Sequence, residues 1–177
     1  IVIGNAPWTA WKGKDGKAFN KHITEMVRAF LSTRANIRSL VQFAMAYVHN
    51  DMLPDTAFLW RAQQWAKPNG VIALIVHGRL MFKRAERGAD VRAALFRSMR
   101  VTGVLNGSEL MRLWPSLNQP FCIVFARNEV PKPSDRFRFV TPELDTAPGS
   151  RFRMRIDHES AQPIETSLML TKPYLLK

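Results

Sequence analysis

The chain has 177 residues, 46% of them hydrophobic, which is enough for one domain with its own core and too apolar for a disordered segment. Lys and Arg number 26 against 14 Asp and Glu, a net charge of +12 that favours a polyanionic partner without separating DNA from RNA. Apolar runs fall far short of the ~20 residues that cross a bilayer, so no membrane role is expected, and a single cysteine, Cys122, excludes an internal disulfide and fits a cytoplasmic setting.

Residues 1–4 (IVIG) are apolar and stop at Asn5, which predicts a buried strand ending in a turn. The chain opens inside this run without Met or a charged leader, so the expectation is a fragment whose N-terminal part lies upstream. Residues 9–21 are polar, basic and Gly-containing, and predict a loop. Residues 22–31 place Ile23, Met26, Val27, Phe30 and Leu31 on one helical face. Residues 37–48 do the same with Ile37, Leu40, Val41, Ala44, Met45 and Val48. A third helix is predicted from Asp55, as its cap, to Ala66, ending at Lys67-Pro68-Asn69-Gly70.

VIALIV (71–76) is the pattern of a strand covered on both faces. Residues 78–88 are basic and loop-like. Asp90 to Met99 predicts a helix with Val91, Ala94, Leu95 and Met99 inward. VTGVL (101–105) and FCIVFAR (121–127) predict two further strands. Alternation of strands and helices implies a mostly parallel α/β sheet with helices on both sides, and the last strand, with no clear helix before it, is expected to pair antiparallel. After Arg127 four prolines punctuate loops around a short strand, FRFV. RFRMRI (151–156) alternates, putting Arg151, Arg153 and Arg155 on one face. Two readings stand for it: a phosphate-contacting ribbon, or a charged edge strand that resists aggregation.

Asn5-Ala6-Pro7-Trp8, directly after the first strand, carries chemistry. An exocyclic amino group on a base is a poor nucleophile because its lone pair is delocalised into the ring. An amide oxygen and a backbone carbonyl can accept its two N–H bonds and aim the lone pair at a methyl donor, so catalysis is mainly positioning. Asn5 offers the amide oxygen and Ala6 the carbonyl, while Pro7 stiffens the turn. The target atom is hidden in a duplex and the base must flip out. Trp8 offers a flat receiving surface, and stacking a base on an aromatic is worth roughly 1–3 kcal/mol. The strand end is also where open α/β sheets bind ligands.

This stretch resembles the strand and motif of the S-adenosylmethionine-dependent adenine-N6 DNA methyltransferases, (D/N)-P-P-(Y/F/W). KPNG before VIALIV, and VTGVLNGSEL before QPFCIVFARN, resemble that family's following helix and strands in its order. The resemblance implies a partial Rossmann-like class I methyltransferase fold. Residues 1–127 would form the catalytic half of the methyltransferase domain, and residues 128–177 an extension leading toward a target-recognition region, with KPYLLK (172–177) resembling that link. The setting implied is a restriction–modification or phage-defence system, with DNA as partner and a specificity subunit or fused recognition domain beside it.

Carried over by position, Asn5 and the Ala6 carbonyl would hold the adenine amino group and Trp8 would stack on the ring. Trp114 or Phe121 would supply a second aromatic wall. Lys12, Lys14, Lys17, Arg79, Lys83 and Arg84 would meet DNA phosphates or face solvent. Ala6 departs from the motif's proline and loosens the turn. The glycine-rich cofactor loop and the acidic ribose-binding residue lie upstream in the family and are not in this chain, so S-adenosylmethionine is implied as cofactor while the isolated chain is expected to bind it poorly and to be inactive. No metal site is expected, because the four histidines never pair with Cys122 at ligand spacing. Cys122 fits the core, and His77, although at a strand end, fits a structural role best. Methylation of RNA or of a protein amide, and a degenerate DNA-binding module without activity, are the competing readings.

Overall fold

The computed structural model describes residues 1–34, 38–49, 54–82, 86–113, 119–144 and 153–171. The side chains of residues 38–40, 86–88, 111–113 and 144 are not among those described. Ile37, Lys83, Arg84, Trp114, Arg151 and residues 172–177 therefore lie outside the described residues, as do the side chains of Leu40 and Arg87.

Among the described residues eight strands and six helices follow in the order β1 (Val2–Asn5), α1 (Gly13–Thr33), α2 (Arg38–Ala46), α3 (Pro54–Trp65), β2 (Val71–His77), α4 (Arg79–Phe82), α5 (Glu86–Ser98), β3 (Arg100–Asn106), a 3-10 turn (Ser108–Leu113), β4 (Phe121–Arg127), β5 (Arg136–Val140), β6 (Glu143–Leu144), β7 (Met154–Arg155), β8 (Gln162–Glu165) and α6 (Thr166–Thr171). The main sheet has the order β1-β2-β4-β3-β5-β8. β1 runs parallel to β2, and β3 to β5. β4 is inserted between β2 and β3, antiparallel to both, and β8 is antiparallel to β5. Four strands thus share one direction and β4 and β8 oppose them. A separate ribbon pairs β6 with β7.

Register explains the core. Ile72, Leu74 and Val76 face Ala126, Val124 and Cys122 across the β2–β4 ladder, and all six are buried. Leu59 and Ala62 of α3, Val91, Leu95 and Phe96 of α5 and Met169 of α6 cover that face. A second cluster stacks helix on helix: Ile23, Val27 and Leu31 of α1 and Ala44 of α2 pack with Trp60 of α3 and Ala94 of α5. Among the described residues the helices cover one face only, which corrects the expectation of helices on both sides. The other face carries Ile3, Val71 and Phe125, exposed at 77%, 37% and 38%. β1 is accordingly an exposed edge strand rather than a buried one, and β2 is fully buried on one face only.

Four further expectations change. The loop of residues 9–21 ends at Lys12, because Gly16 is buried and Trp11 stacks on Phe19 at 5.9 Å, contacts that outweigh the helix cost of two glycines. Met45 and Val48 are exposed at 72% and 54%: the buried stripe here runs through Ala44 and Tyr47 and leaves Met45 to one side, and α2 ends at Ala46 before Val48. Residues 79–82 are helical rather than loop, with Leu80 and Met81 in the core. Asp55 lies inside the first turn of α3 rather than capping it, and its carboxylate reaches the end of β2 instead. β8 and α6 have no counterpart in the periodicity reading. They extend the sheet and core past β5, through Ile164 and Met169.

The opposite end of the sheet from the motif is tied by Asn128. Its backbone exchanges bonds with Asn69 and Gly70 (3.1 and 2.9 Å). Its side-chain amide donates to the Gln63 and Ala66 carbonyls at 2.9 and 2.6 Å and accepts from Arg34. Asn69, at φ 60°, makes the left-handed turn that lets the chain enter β2, a conformation Asn tolerates better than most residues.

Candidate active site

β1 delivers its last residue, Asn5, opposite Ile75, and the Ala6 N–H still bonds the Ile75 carbonyl at 3.4 Å. Ala6 is buried, and the chain leaves the sheet at Pro7. Asn5 is exposed at the carboxyl end of the strand. From this turn Trp8 lays its ring over Phe121, centroids 6.3 Å apart and planes 18° from parallel. The His77 ring meets Trp8 edge-on, at 6.1 Å and 68°. Three segments therefore build one aromatic corner: the turn after β1, the end of β2 and the start of β4. The sheet register brings them together, because His77 and Phe121 are direct partners in the last rung of the β2–β4 ladder.

Gly107 sets the depth of that corner. Its N–H bonds the Phe121 carbonyl at 2.8 Å, and a Cβ at this position would overlap the Phe121 ring. Gly78 donates to the Pro120 carbonyl at 2.7 Å and fixes the chain entering β4. Behind the corner, Asp55 is buried and its Oδ2 accepts the His77 N–H at 2.8 Å. Burial pushes the Asp55 carboxyl up to about 6, against the opposing pull of backbone N–H bonds from His77 and Thr56. His49 lies deeper, 2% exposed, with Nδ1 against the Tyr47 hydroxyl at 2.9 Å. Burial, and then the charge of Arg79, push it down to about 4. Cys122 is core, and burial raises its thiol to about 12, out of nucleophilic range.

The structure brings Asn5, Ala6, Pro7, Trp8 and Phe121 to one strand end. Lys12, Lys14 and Lys17 are exposed around the start of α1, a short way along the same loop. Arg79 is half-buried and directed at the core side, close enough to His49 to lower it. A cavity of about 610 Å³ opens beside the motif, lined by Pro7, Trp11, Phe19, Pro54 and Phe58, with Lys12 and Asp15 among its polar groups. In the β6–β7 ribbon, Arg155 pairs with Asp157 at 2.8 Å, an exposed contact of little energetic weight. Asp55, Gln119 and Gly107 were not legible as site residues. Their place depends on the pairing of β2 with β4, which no local pattern encodes.

Among the described residues no complete cofactor site is assembled. None of the strand ends carries the Gly-x-Gly turn that lets a backbone approach a nucleoside, and the positive-φ glycine at Gly13 opens a helix from a loop instead. Among the described residues no helix is long and apolar enough to cross a membrane, and no three His, Cys, Asp or Glu are grouped to hold a metal ion.

This mixed sheet, with its antiparallel strand inserted between two that run together and its motif at a carboxyl strand end, is a class I methyltransferase α/β fold. The particular likenesses are to restriction–modification structures. One is a modification subunit of a type I restriction enzyme from Vibrio vulnificus YJ016, at 12% identity and TM-score 0.54, covering 98% of this chain and 38% of that one. Another is the type IIG restriction endonuclease BpuSI, at 8% identity and TM-score 0.52, covering 85% and 18%. At such identities the likeness concerns the fold, and this chain spans well under half the length of either protein. No family model matches the chain, and no curated protein matches it.

Proposed function

We propose that this chain is the target-base half of an adenine-N6 DNA methyltransferase of a restriction–modification or phage-defence system, acting in the cytoplasm with S-adenosylmethionine as donor. The observation that carries it is the conjunction at the end of β1: an exposed Asn5, a turn still bonded to β2 through Ala6, and Trp8 lying nearly parallel to Phe121. In this reading residues 1–127 present the base and residues 128–177 lead toward a recognition region. The cofactor loop belongs to the rest of a longer polypeptide.

The work of this chain's own residues is then positional. The Asn5 amide oxygen and the Ala6 carbonyl accept the two hydrogens of the adenine amino group and draw its lone pair out of the ring plane. Trp8 and Phe121 flank the flipped ring and replace the stacking it loses on leaving the duplex. Lys12, Lys14 and Lys17 stand at the positive end of α1, where lysine gains nothing from the helix dipole. Phosphate contact is the role proposed for them, and for Arg79, Lys83 and Arg84. A specificity subunit or fused recognition domain would choose the site.

In the complete protein, Asn5→Ala is expected to cut methyl transfer roughly 10²–10³-fold, the range for losing one preorganised hydrogen-bond partner. DNA binding, read by gel shift, should persist. Unchanged transfer by the variant would remove Asn5 from the chemistry and with it this reading of the motif.

A further inference from the structure

His77 differs from His49, the buried histidine of the fold. His49 is sealed in the core, its ring nitrogens turned to Tyr47 and Thr56. The His77 ring is half-exposed at the mouth of the aromatic corner, and both its backbone and its ring are held there. Its backbone N–H is taken by the buried Asp55 carboxylate at 2.8 Å. Its Nδ1 accepts the backbone N–H of Arg79 at 3.1 Å. A backbone amide can only donate, so Nδ1 is the acceptor and, in the neutral ring, the proton sits on Nε2. Nε2 lies 3.1 Å from Gln119 Oε1, and the tautomer makes that a donated bond and fixes which way round the Gln119 amide stands.

The ring so held touches two groups of the corner, Trp8 and Gln119. Trp8 sits in an irregular turn where regular backbone bonding does not fix its plane. Its orientation comes from the Phe121 stack and the His77 edge. Stacking alone leaves the indole free to slide or tilt over Phe121. An edge-on neighbour stops the tilt, because the positive rim of one ring sits against the negative face of the other.

We propose that His77 is a positioning residue of the base-receiving corner: anchored by Asp55 and the Arg79 amide, it holds Trp8 in its plane and orients Gln119 at the rim. This rests on the reading of Trp8 as the base-stacking surface. An aromatic pair of this kind is worth about two- to tenfold in the population of one ring geometry, and that is the size of effect expected.

The test uses the intact chain uniformly labelled with 15N, the Trp8 indole assigned through Trp8→Phe, and adenosine as the probe. His77→Ala should shift and broaden the Trp8 indole resonance, leave the thermal midpoint close to wild type, and weaken adenosine binding about two- to tenfold. His77→Phe restores the ring edge without the hydrogen bonds, so it should return the Trp8 resonance while leaving the Gln119 side-chain amide shifted, a rescue that a merely structural histidine would not show. An unmoved Trp8 resonance in both variants overturns the inference, even where Trp8→Ala abolishes adenosine binding and so upholds the base corner. A Trp8 resonance that moves in His77→Ala and returns in His77→Phe supports the positioning role. If wild type and Trp8→Ala then bind adenosine equally, the base reading fails and the positioning stands. Should His77→Ala fail to fold, His77→Phe decides alone: a Trp8 resonance far from its wild-type position overturns the proposal.

Discussion

Asp55 and His49 lie in neighbouring parts of the same buried region and respond to acid in opposite senses. The Asp55 carboxyl is raised from 3.8 to about 6, so the folded state holds its proton more tightly than the unfolded chain does. Its contribution is fully present below pH ~4 and is lost as pH rises through 6. His49 is lowered from 6.5 to about 4, so its contribution is present above 6.5 and lost as pH falls toward 4. The two partly cancel in the wild type. Asp55→Asn keeps an oxygen for the His77 N–H and removes the titration. The stability of wild type relative to this variant should therefore fall by about 2 kcal/mol between pH 4 and pH 7, measured by urea unfolding at both. No change with pH would mean that Asp55 is not buried as described. At this scale the sequence was informative where a motif is contiguous: Asn5 to Trp8 stand side by side, and the need for a hydrogen-bond acceptor beside a flat ring is visible in four letters. The partnership of His77 with Gln119 spans 42 positions and exists only through the strand register.

Elements were legible in proportion to how strongly their own pattern speaks. β4 spans the residues its composition predicts, and α5 buries Val91, Ala94 and Leu95 as its periodicity requires. α1 was read short because glycines weaken a helix locally, yet Gly16 is buried and the Trp11–Phe19 stack fixes the entry of the chain. In α2 the buried stripe passes through Ala44 rather than Met45, and the helix ends at Ala46 before Val48. β5 joins the sheet by pairing with β3, and its Phe137, 1% exposed, packs on Phe96 of α5 with centroids 5.1 Å apart. Phe137→Ala should cost about 3–5 kcal/mol in urea unfolding as a single cooperative loss, because the cavity opens in the main core. A loss below 1 kcal/mol would show β5 to be a dispensable appendage.

For the whole molecule, charge and composition pointed to a basic α/β domain with a polyanionic partner, and the alternation of elements pointed to its sheet. Neither predicted that the helices among the described residues would lie on one face. The covered face carries Ile72, Leu74, Val76, Val124 and Ala126, while Ile3, Val71 and Phe125 lie on the uncovered side and give it no less apolar a pattern to read. The same arrangement gathers Asn5, Trp8, His77 and Phe121 at one end of the sheet, so the fold and the proposed chemistry meet at a single edge. The most direct test of that chemistry is to incubate the complete protein with DNA and methyl-labelled S-adenosylmethionine, digest the DNA, and identify the labelled nucleoside. N6-methyladenine, absent when Asn5 is replaced by Ala, is the result expected. Label in another nucleoside, or none in DNA from a folded protein with its cofactor bound, would contradict the account.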